Sequence, residues 1–433
     1  MDYEKFFSED VASFLPSPVR EIFRVVDLSQ IYSFAGGYPD AATFPLKDIE
    51  ALSSLVLKKY GTKALQYGAT QGIPELREVI SRRYGVPVEN VQVTTSSQQG
   101  IDVCSRIMLD PGDVVLTTAP TYLGAIQSFK AYRADIVTLD EYCDPTFSAG
   151  RDSLQESKES IFFAGSQKKP ISFDPTADAV PPLPRRGRQA LERVPSSTES
   201  RPQPKAKPKF CYLIPDFQNP SGVTMTLEER EALVELARRD DFIIVEDCPY
   251  RELRYSGENV PTIYSLAPER TLHLGSFSKI FAPGFRLGWI IGPTQLLEKI
   301  YICKQTLDLC PPIFDQYMAA EFMGSGALDE NLAKSKELYR RKRDQMLSLL
   351  EKYMPAGVSW TRPEGGLFLF LTLPEEVDTI ALYDKALKAG VAYVAGSFFY
   401  PDGSHRNTMR LNFSFLDSGR MEEGIRLLSQ LVR

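Results

Sequence analysis

From Val91 onward, short apolar runs alternate with stretches of helical periodicity, and this alternation constrains the fold more than any other feature. Such alternation is typical of a largely parallel sheet with crossover helices on its faces. We therefore expect an α/β fold with helices flanking a mostly parallel sheet. The predicted strands are Val91–Thr95, Asp113–Thr118, Ala134–Leu139, Lys209–Ile214, Phe242–Val245, Thr271–Leu274 and Leu287–Ile291.

A chain of 433 residues suits two domains. We predict a large domain over 46–325 and a small α+β domain over 326–433. The N-terminal segment 1–45 is expected to belong to the small domain. A charged helix from about Asp329 to Tyr353 links the two. Residues 144–208 are rich in Pro, Ser and charged residues, a composition that buries little apolar area, so a mobile surface insertion is expected there.

Composition excludes several classes of function. The formal net charge of −6 argues against a nucleic-acid partner. Six scattered cysteines without a C-x-x-C pair, and only two histidines, predict no metal site. The N-terminus lacks the pattern of a signal peptide, and no apolar run is long enough to cross a membrane. We expect a cytoplasmic protein with no membrane contact.

The segment Leu274–Trp289 contains the strongest chemical pattern in the chain. It places Ser276, Ser278, Lys279 and Arg286 together between two predicted strands, with a Pro-Gly turn. Hydroxyl groups and a guanidinium are suited to binding phosphate. A lysine is a nucleophile only when neutral, and burial beside a cation favours its neutral form.

This segment resembles the lysine motif of the aspartate aminotransferase superfamily, fold type I of the pyridoxal-phosphate (PLP) enzymes. The resemblance implies that Lys279 holds PLP as a Schiff base. It also implies that Ser276, Ser278 and Arg286 hold the cofactor's phosphate. The resemblance runs from about Arg20 to the C-terminus, with the motifs in the family's order.

Two further motifs come at the carboxyl ends of predicted strands, where open α/β sheets bind their ligands. In Glu246-Asp247-Cys248-Pro249-Tyr250, the resemblance pairs Asp247 with the pyridine nitrogen and Tyr250 with the ring's phenolic oxygen. With Lys279, these are the predicted catalytic residues. In Asn219-Pro220-Ser221-Gly222, Asn219 matches a second donor to that oxygen, and Ser221 replaces the family's common Thr.

A strand-to-helix junction, Thr95–Gly100, offers unpaired amides and a partial positive charge to an anion. The resemblance implies phosphate contacts from Ser97 and Gln98 there. It matches Tyr122 with the aromatic residue that stacks on the cofactor ring. It matches Tyr67 with a tyrosine that reaches the partner's phosphate, which implies a homodimer.

Substrate contacts are predicted from the remaining polar residues. Arg410 is one arginine in an alternating apolar strand, Thr408–Phe415, and needs an anion. The resemblance makes that anion the substrate's α-carboxylate and places Gly37 and Asn219 beside the substrate. Arg20 matches a residue that helps bind the substrate side chain, although a surface arginine is an equally good interpretation.

The predicted activity is transamination, in which an L-amino acid donates its amino group to a 2-oxo acid such as 2-oxoglutarate by a ping-pong mechanism. Ser97–Gly100 and Ala35–Gly37 resemble the 2-aminoadipate and kynurenine branch, which handles 2-aminoadipate, aromatic or branched-chain amino acids. C–S β-elimination and decarboxylation are alternatives, because the motifs do not separate them. A ligand sensor in a transcription regulator is disfavoured, because only about thirty residues precede the Gly-Gly segment and that stretch is not basic as a whole.

Overall fold

The computed structural model describes residues 3–7, 31–143 and 207–432. Arg20 and nearly all of the predicted insertion 144–208 lie outside these ranges. The end of that insertion is wrong by one residue, because Pro208 begins a strand. The first position of a strand suits proline, which has no N–H to donate.

Thirteen strands are present in the described residues. They are β1 (Tyr32–Ser33), β2 (Val91–Thr94), β3 (Val114–Thr117), β4 (Asp135–Thr138), β5 (Pro208–Leu213), β6 (Ile243–Asp247), β7 (Thr271–Ser276), β8 (Gly288–Ile291), β9 (Ser359–Trp360), β10 (Phe368–Thr372), β11 (Val391–Ala392), β12 (Val394–Ala395) and β13 (Thr408–Asn412).

The α-helices of the same ranges are α1 (Leu46–Tyr60), α2 (Pro74–Tyr84), α3 (Ser96–Met108), α4 (Leu123–Ala131), α5 (Leu139–Cys143), α6 (Leu227–Asp240), α7 (Ile263–Leu266), α8 (Thr294–Leu307), α9 (Ile313–Gly324), α10 (Ala327–Tyr353), α11 (Thr379–Lys388) and α12 (Ser418–Leu431). Among them, α6 begins with the predicted capping box of Thr226 and Glu229. No described helix is both long and apolar enough to span a bilayer.

Seven strands form one sheet in the order β2-β8-β7-β6-β5-β3-β4. Only β8 runs antiparallel to its neighbours, so the predicted mostly parallel sheet is confirmed. Successive side chains of a strand point to opposite faces. Phe210 and Tyr212 of β5 accordingly pack in one apolar cluster with α3 and α4, whereas Cys211 and Leu213 pack in another with α6. Helices on both faces explain why most residues of these strands are buried and many of them are apolar.

A smaller antiparallel sheet follows along the chain, in the order β12-β13-β10-β9. Next to it, β1 pairs in parallel with β11, and the Phe34 N–H donates to the carbonyl of Ala392 at 2.8 Å. The segment after residue 30 therefore packs with the C-terminal part of the chain. The domain limits at 46 and 326 stay predictions.

Candidate active site

The predicted site residues converge on one edge of the large sheet. Parallel strands place their carboxyl ends together, and β2, β3, β5, β6 and β7 all end here, while the antiparallel β8 begins here. A cleft of about 1170 Å³ opens at this edge. Predicted residues that line it are Gly37, Ser97, Gln98, Tyr122, Asn219, Asp247, Tyr250, Ser276, Ser278, Lys279, Arg286 and Arg410.

Lys279 ends a short 3₁₀ turn directly after β7. Its Nζ donates to the carbonyl oxygen of Gly37 at 2.7 Å. Burial, and then the nearby cations Arg410 and Arg286, lower the pKa of Lys279 to about 8. A substantial fraction of this amine is therefore neutral near pH 8, as a nucleophile or general base requires.

Asp247 is the last residue of β6 and is buried. Its Oδ2 accepts a hydrogen bond from the Tyr212 hydroxyl at 2.9 Å, whereas its buried Oδ1 has no partner. Burial raises the pKa of Asp247 to about 7, and Tyr212 and His273 offset only part of that rise. A buried carboxylate oxygen without a partner is costly, so the cleft is complementary to a ligand with a cationic N–H at this point.

Residues 95–98, where the chain leaves β2 and enters the first turn of α3, are called here the anion turn. Arg286 donates from Nη2 to the Ser96 hydroxyl at 2.7 Å, which fixes its guanidinium beside this turn. Ser96 and Arg286 both have left-handed backbones, with φ of 69° and 52°. Such strain in non-glycine residues persists where surrounding contacts determine the conformation, and it clusters at functional sites. Ser97, Ser276 and Ser278 also line the cleft, and the Ser276 hydroxyl accepts the Ser278 N–H at 3.2 Å.

Tyr122 immediately precedes α4 and lies half-buried against the anion turn. Its hydroxyl donates to Gln98 Oε1 at 3.1 Å, and Gln98 Nε2 donates to the carbonyl of Gly124 at 3.3 Å. These two bonds join the predicted stacking residue to a predicted phosphate residue. Gln98 therefore orients the tyrosine besides lining the cleft.

Arg410 lies on β13 and is 4% exposed. It donates from Nη1 to Asn219 Oδ1 at 2.8 Å and from Nη2 to the carbonyl of Ala35, while its buried Nε has no partner. Its guanidinium lies 4.3 Å from the centre of the Phe368 ring and 5.1 Å from that of Phe399. Burial lowers the pKa of Arg410 to about 10.

Within the described ranges no carboxylate forms an ion pair with Arg410. A structural salt bridge therefore does not explain this buried cation.

Tyr250 packs its ring edge-on to Phe368, with centroids 5.7 Å apart, and burial raises the pKa of its phenol. The arrangement leaves a charged fork in an apolar wall, which is suited to a small carboxylate.

One predicted site residue that the structure describes is not part of this cleft. Tyr67 is 79% exposed and does not line the cleft of its own subunit. The predicted phosphate contact of Tyr67 would therefore have to be made in a partner subunit. Arg20 lies outside the described residues. The sequence reasoning missed Tyr212 and Ser96, because their partners are 35 and 190 residues away along the chain.

A buried lysine with a lowered pKa, a carboxylate oxygen without a described partner and an anion turn lie at the carboxyl edge of this sheet. They are complementary to the amine-reactive, pyridine and phosphate parts of PLP. Fold and site thus define a PLP enzyme of fold type I. The chain belongs to the family of class I and II aminotransferases, whose pattern matches residues 35–180 and 197–428.

Known relatives cover the whole chain. It is 40% identical to aromatic-amino-acid aminotransferase 1 of Thermococcus litoralis, over 100% of this chain and 95% of the relative. A solved structure of Pyrococcus horikoshii kynurenine aminotransferase, in complex with PMP, KYN as substrates and KYA as products, is 38% identical, with a TM-score of 0.82 over 100% and 98% of the two chains. An alpha-aminoadipate aminotransferase from Thermus thermophilus, complexed with N-(5'-phosphopyridoxyl)-L-leucine, is 30% identical, with a TM-score of 0.80 over 100% and 98%.

These findings confirm the predicted family, enzyme class and cofactor. The protein is a PLP-dependent transaminase of fold type I, near the 2-aminoadipate and kynurenine branch. Its substrates are accordingly an amino acid and a 2-oxo acid.

Proposed function

We propose that this enzyme transfers the amino group of an L-amino acid with an aromatic or large apolar side chain to a 2-oxo acid such as 2-oxoglutarate, by a ping-pong mechanism. One observation carries the proposal. The amine of Lys279 and the guanidinium of Arg410 are held by carbonyls of one three-residue segment, those of Gly37 and Ala35. A carboxylate on Arg410 would therefore present its α-carbon near the Lys279 amine.

The residues divide into groups by the part of the cofactor that each would hold. Asp247 would pair with the ring nitrogen, Tyr122 would stack on the ring, and Tyr250 and Asn219 would contact the phenolic oxygen. The residues that would hold the phosphate are Ser97, Gln98, Ser276, Ser278 and Arg286. When bound, PLP supplies an electron-withdrawing ring that makes the substrate's Cα–H acidic.

Lys279 performs the proton transfer in this proposal. Its neutral Nζ would remove the proton from the substrate's Cα and deliver it to the cofactor's C4′, so that the lysine ends the step neutral again. Arg410 fixes the carboxylate in a bidentate fork, and Asn219 keeps that fork oriented. Because one site serves both half-reactions, the first oxo acid must leave before the second binds.

The side-chain preference follows from the walls of the cleft. Among the described lining residues the cations are Lys279, Arg286 and Arg410, and each has a role above. No further described cation lines the cleft to pair with a distal carboxylate, whereas Leu123 and Phe399 offer apolar surface. The aromatic-amino-acid relative supports the same preference. Arg20 stays a predicted contact for the substrate side chain, with a surface arginine as the alternative.

A homodimer is also proposed. Tyr67 and the neighbouring Leu65 expose 79% and 70% of their surfaces, so an aromatic and an aliphatic side chain stand together on the outside of one subunit. A second copy would receive the Tyr67 phenol at its phosphate site. Light scattering would give the molar mass, and Tyr67→Phe should weaken PLP binding without changing that mass. The cytoplasmic location stays a prediction.

The activity is tested with purified protein and PLP. Borohydride should fix the cofactor on Lys279, and Lys279→Ala should abolish both fixation and turnover, whereas Lys299→Ala, an exposed lysine, should change neither. L-phenylalanine, L-tyrosine, L-leucine and L-2-aminoadipate are then compared with 2-oxoglutarate as acceptor. The highest kcat/KM should belong to an aromatic donor. A preference for 2-aminoadipate would refute the side-chain proposal, and pyruvate formed from a cysteine conjugate without oxo-acid dependence would refute transamination.

A further inference from the structure

Helix α3 begins in an unusual way, because its N-cap residue does not cap it. Thr95 precedes the helix, yet its side chain makes no capping hydrogen bond. A threonine at this position usually accepts a bond from an amide of the first turn. Here the Thr95 hydroxyl donates instead to Asp308 Oδ2 at 2.9 Å. Among the residues that the structure describes, no side chain accepts from the first amides of α3, which lie at the wall of the cleft formed by Ser97 and Gln98.

Asp308 is held in place by a buried lysine. The side chain of Lys304, in the last turn of α8, is 0% exposed, and its Nζ lies 3.0 Å from both carboxylate oxygens of Asp308. Lys304 also donates to Gln99 Oε1 at 2.7 Å, and Gln99 Nε2 donates to Asp308 Oδ2 at 2.7 Å. Gln99 Oε1 in turn accepts the Thr95 N–H at 2.8 Å. These four residues form a closed set, called here the Lys304 network.

Stability alone does not account for the lysine. Burying an ammonium group carries a large desolvation cost, and an apolar side chain of similar volume is often as stabilising as a buried ion pair. Lys304 is not among the residues that line the cleft, so it does not contact a ligand there. Its contacts are with side chains that flank the anion turn. Any effect on the cofactor must therefore act through that turn or through Gln99, which follows the turn and lines the cleft.

We propose that Lys304 is a positioning residue for cofactor binding. By holding Asp308 and Gln99, it keeps the Thr95 hydroxyl away from α3 and leaves the first-turn amides free for the cofactor's phosphate. Without the lysine, Thr95 and Gln99 are released and can satisfy those amides themselves. This inference rests on the proposed placement of the phosphate at the anion turn.

The test compares two ligands that differ only in the phosphate. Apoprotein is titrated with PLP and with pyridoxal, and each dissociation constant is measured by absorbance. Lys304→Met should weaken PLP binding by about tenfold or more, the effect of losing one or two hydrogen bonds to a charged group. Pyridoxal binding should change by less than about twofold. Lys299→Met removes an exposed lysine of the same helix and should leave both constants unchanged.

The outcomes separate the two proposals. Equal weakening of both ligands would mean a general structural role and would overturn the positioning role, as would an unchanged PLP constant. Wild-type protein that binds PLP no more tightly than pyridoxal would overturn the phosphate placement itself. If Lys304→Met does not fold, as judged by its urea midpoint, Asp308→Asn tests the same network, and the same loss confined to PLP is expected.

Discussion

Replacing Asp247 with asparagine should raise the stability of the apoprotein relative to wild type as the pH rises, although it removes a residue proposed to be essential. In the ligand-free fold the carboxyl is buried with one oxygen unpaired, and its pKa is about 7 against a usual 3.8. A raised carboxyl pKa means that the folded state binds this proton more tightly than the unfolded chain. The resulting stability is present below pH 3.8 and is lost as the pH rises to about 7.

The size of the effect follows from the same pKa. A change from 3.8 to about 7 corresponds to about 4 kcal/mol in total, of which about 2 kcal/mol falls between pH 5.5 and 7. Asparagine does not titrate, so Asp247→Asn escapes this loss. It still accepts the Tyr212 hydroxyl, but its new amide N–H₂ adds a pH-independent cost of roughly 1–3 kcal/mol for an unpaired donor.

Urea unfolding of both apoproteins between pH 5.5 and 8.5 measures the difference. The free energy of unfolding of the variant, relative to wild type, should grow by about 2 kcal/mol up to pH 7 and then level off. Asp135→Asn, at an exposed position of the same sheet, is the control and should give a flat difference. Added PLP should favour the wild type, because only the carboxylate can pair with the ring nitrogen. A pH-independent difference for Asp247→Asn would refute the reasoning.

Three further substitutions test individual contacts. Tyr212→Phe removes the hydrogen bond to Asp247 Oδ2 and should raise the carboxyl pKa further, by roughly one to two units, so that the apoprotein's stability in the same urea series levels off at a higher pH. Arg410→Lys loses the planar fork and should raise the KM for the amino acid about tenfold or more; steady-state kinetics showing a loss confined to kcat would contradict this. Gly288→Ala would place Cβ 2.7 to 2.9 Å from backbone atoms of the anion turn. It should weaken PLP binding about tenfold in an absorbance titration. Gly284→Ala, whose Cβ would meet no described atom within 4 Å, serves as its control.

Local patterns were enough to predict the sheet, and together with the family resemblance they selected residues that the structure brings into one cleft. The strands read as apolar runs because helices cover both faces, and this burial is visible in the residue types themselves. Asp247 and Asn219 could be placed because residues that follow parallel strands meet at one edge whatever the loop details. The lysine segment could be recognised because its lysine, hydroxyls and arginine lie within eleven positions of one another.

Only the tertiary structure determined which charged side chains are buried and which hydrogen-bond partners they have. Tyr212 and Asp247 are neighbours only because β5 and β6 pair, and the hydrogen bond between them leaves the second carboxylate oxygen free. Lys304 reads in the sequence as an ordinary lysine of an amphipathic helix, and only packing buries it against Gln99. Sequence patterns reflect local periodicity and spacing, whereas desolvation and hydrogen bonding depend on contacts between residues far apart in the chain. The pKa values and the open anion turn therefore belong to the fold.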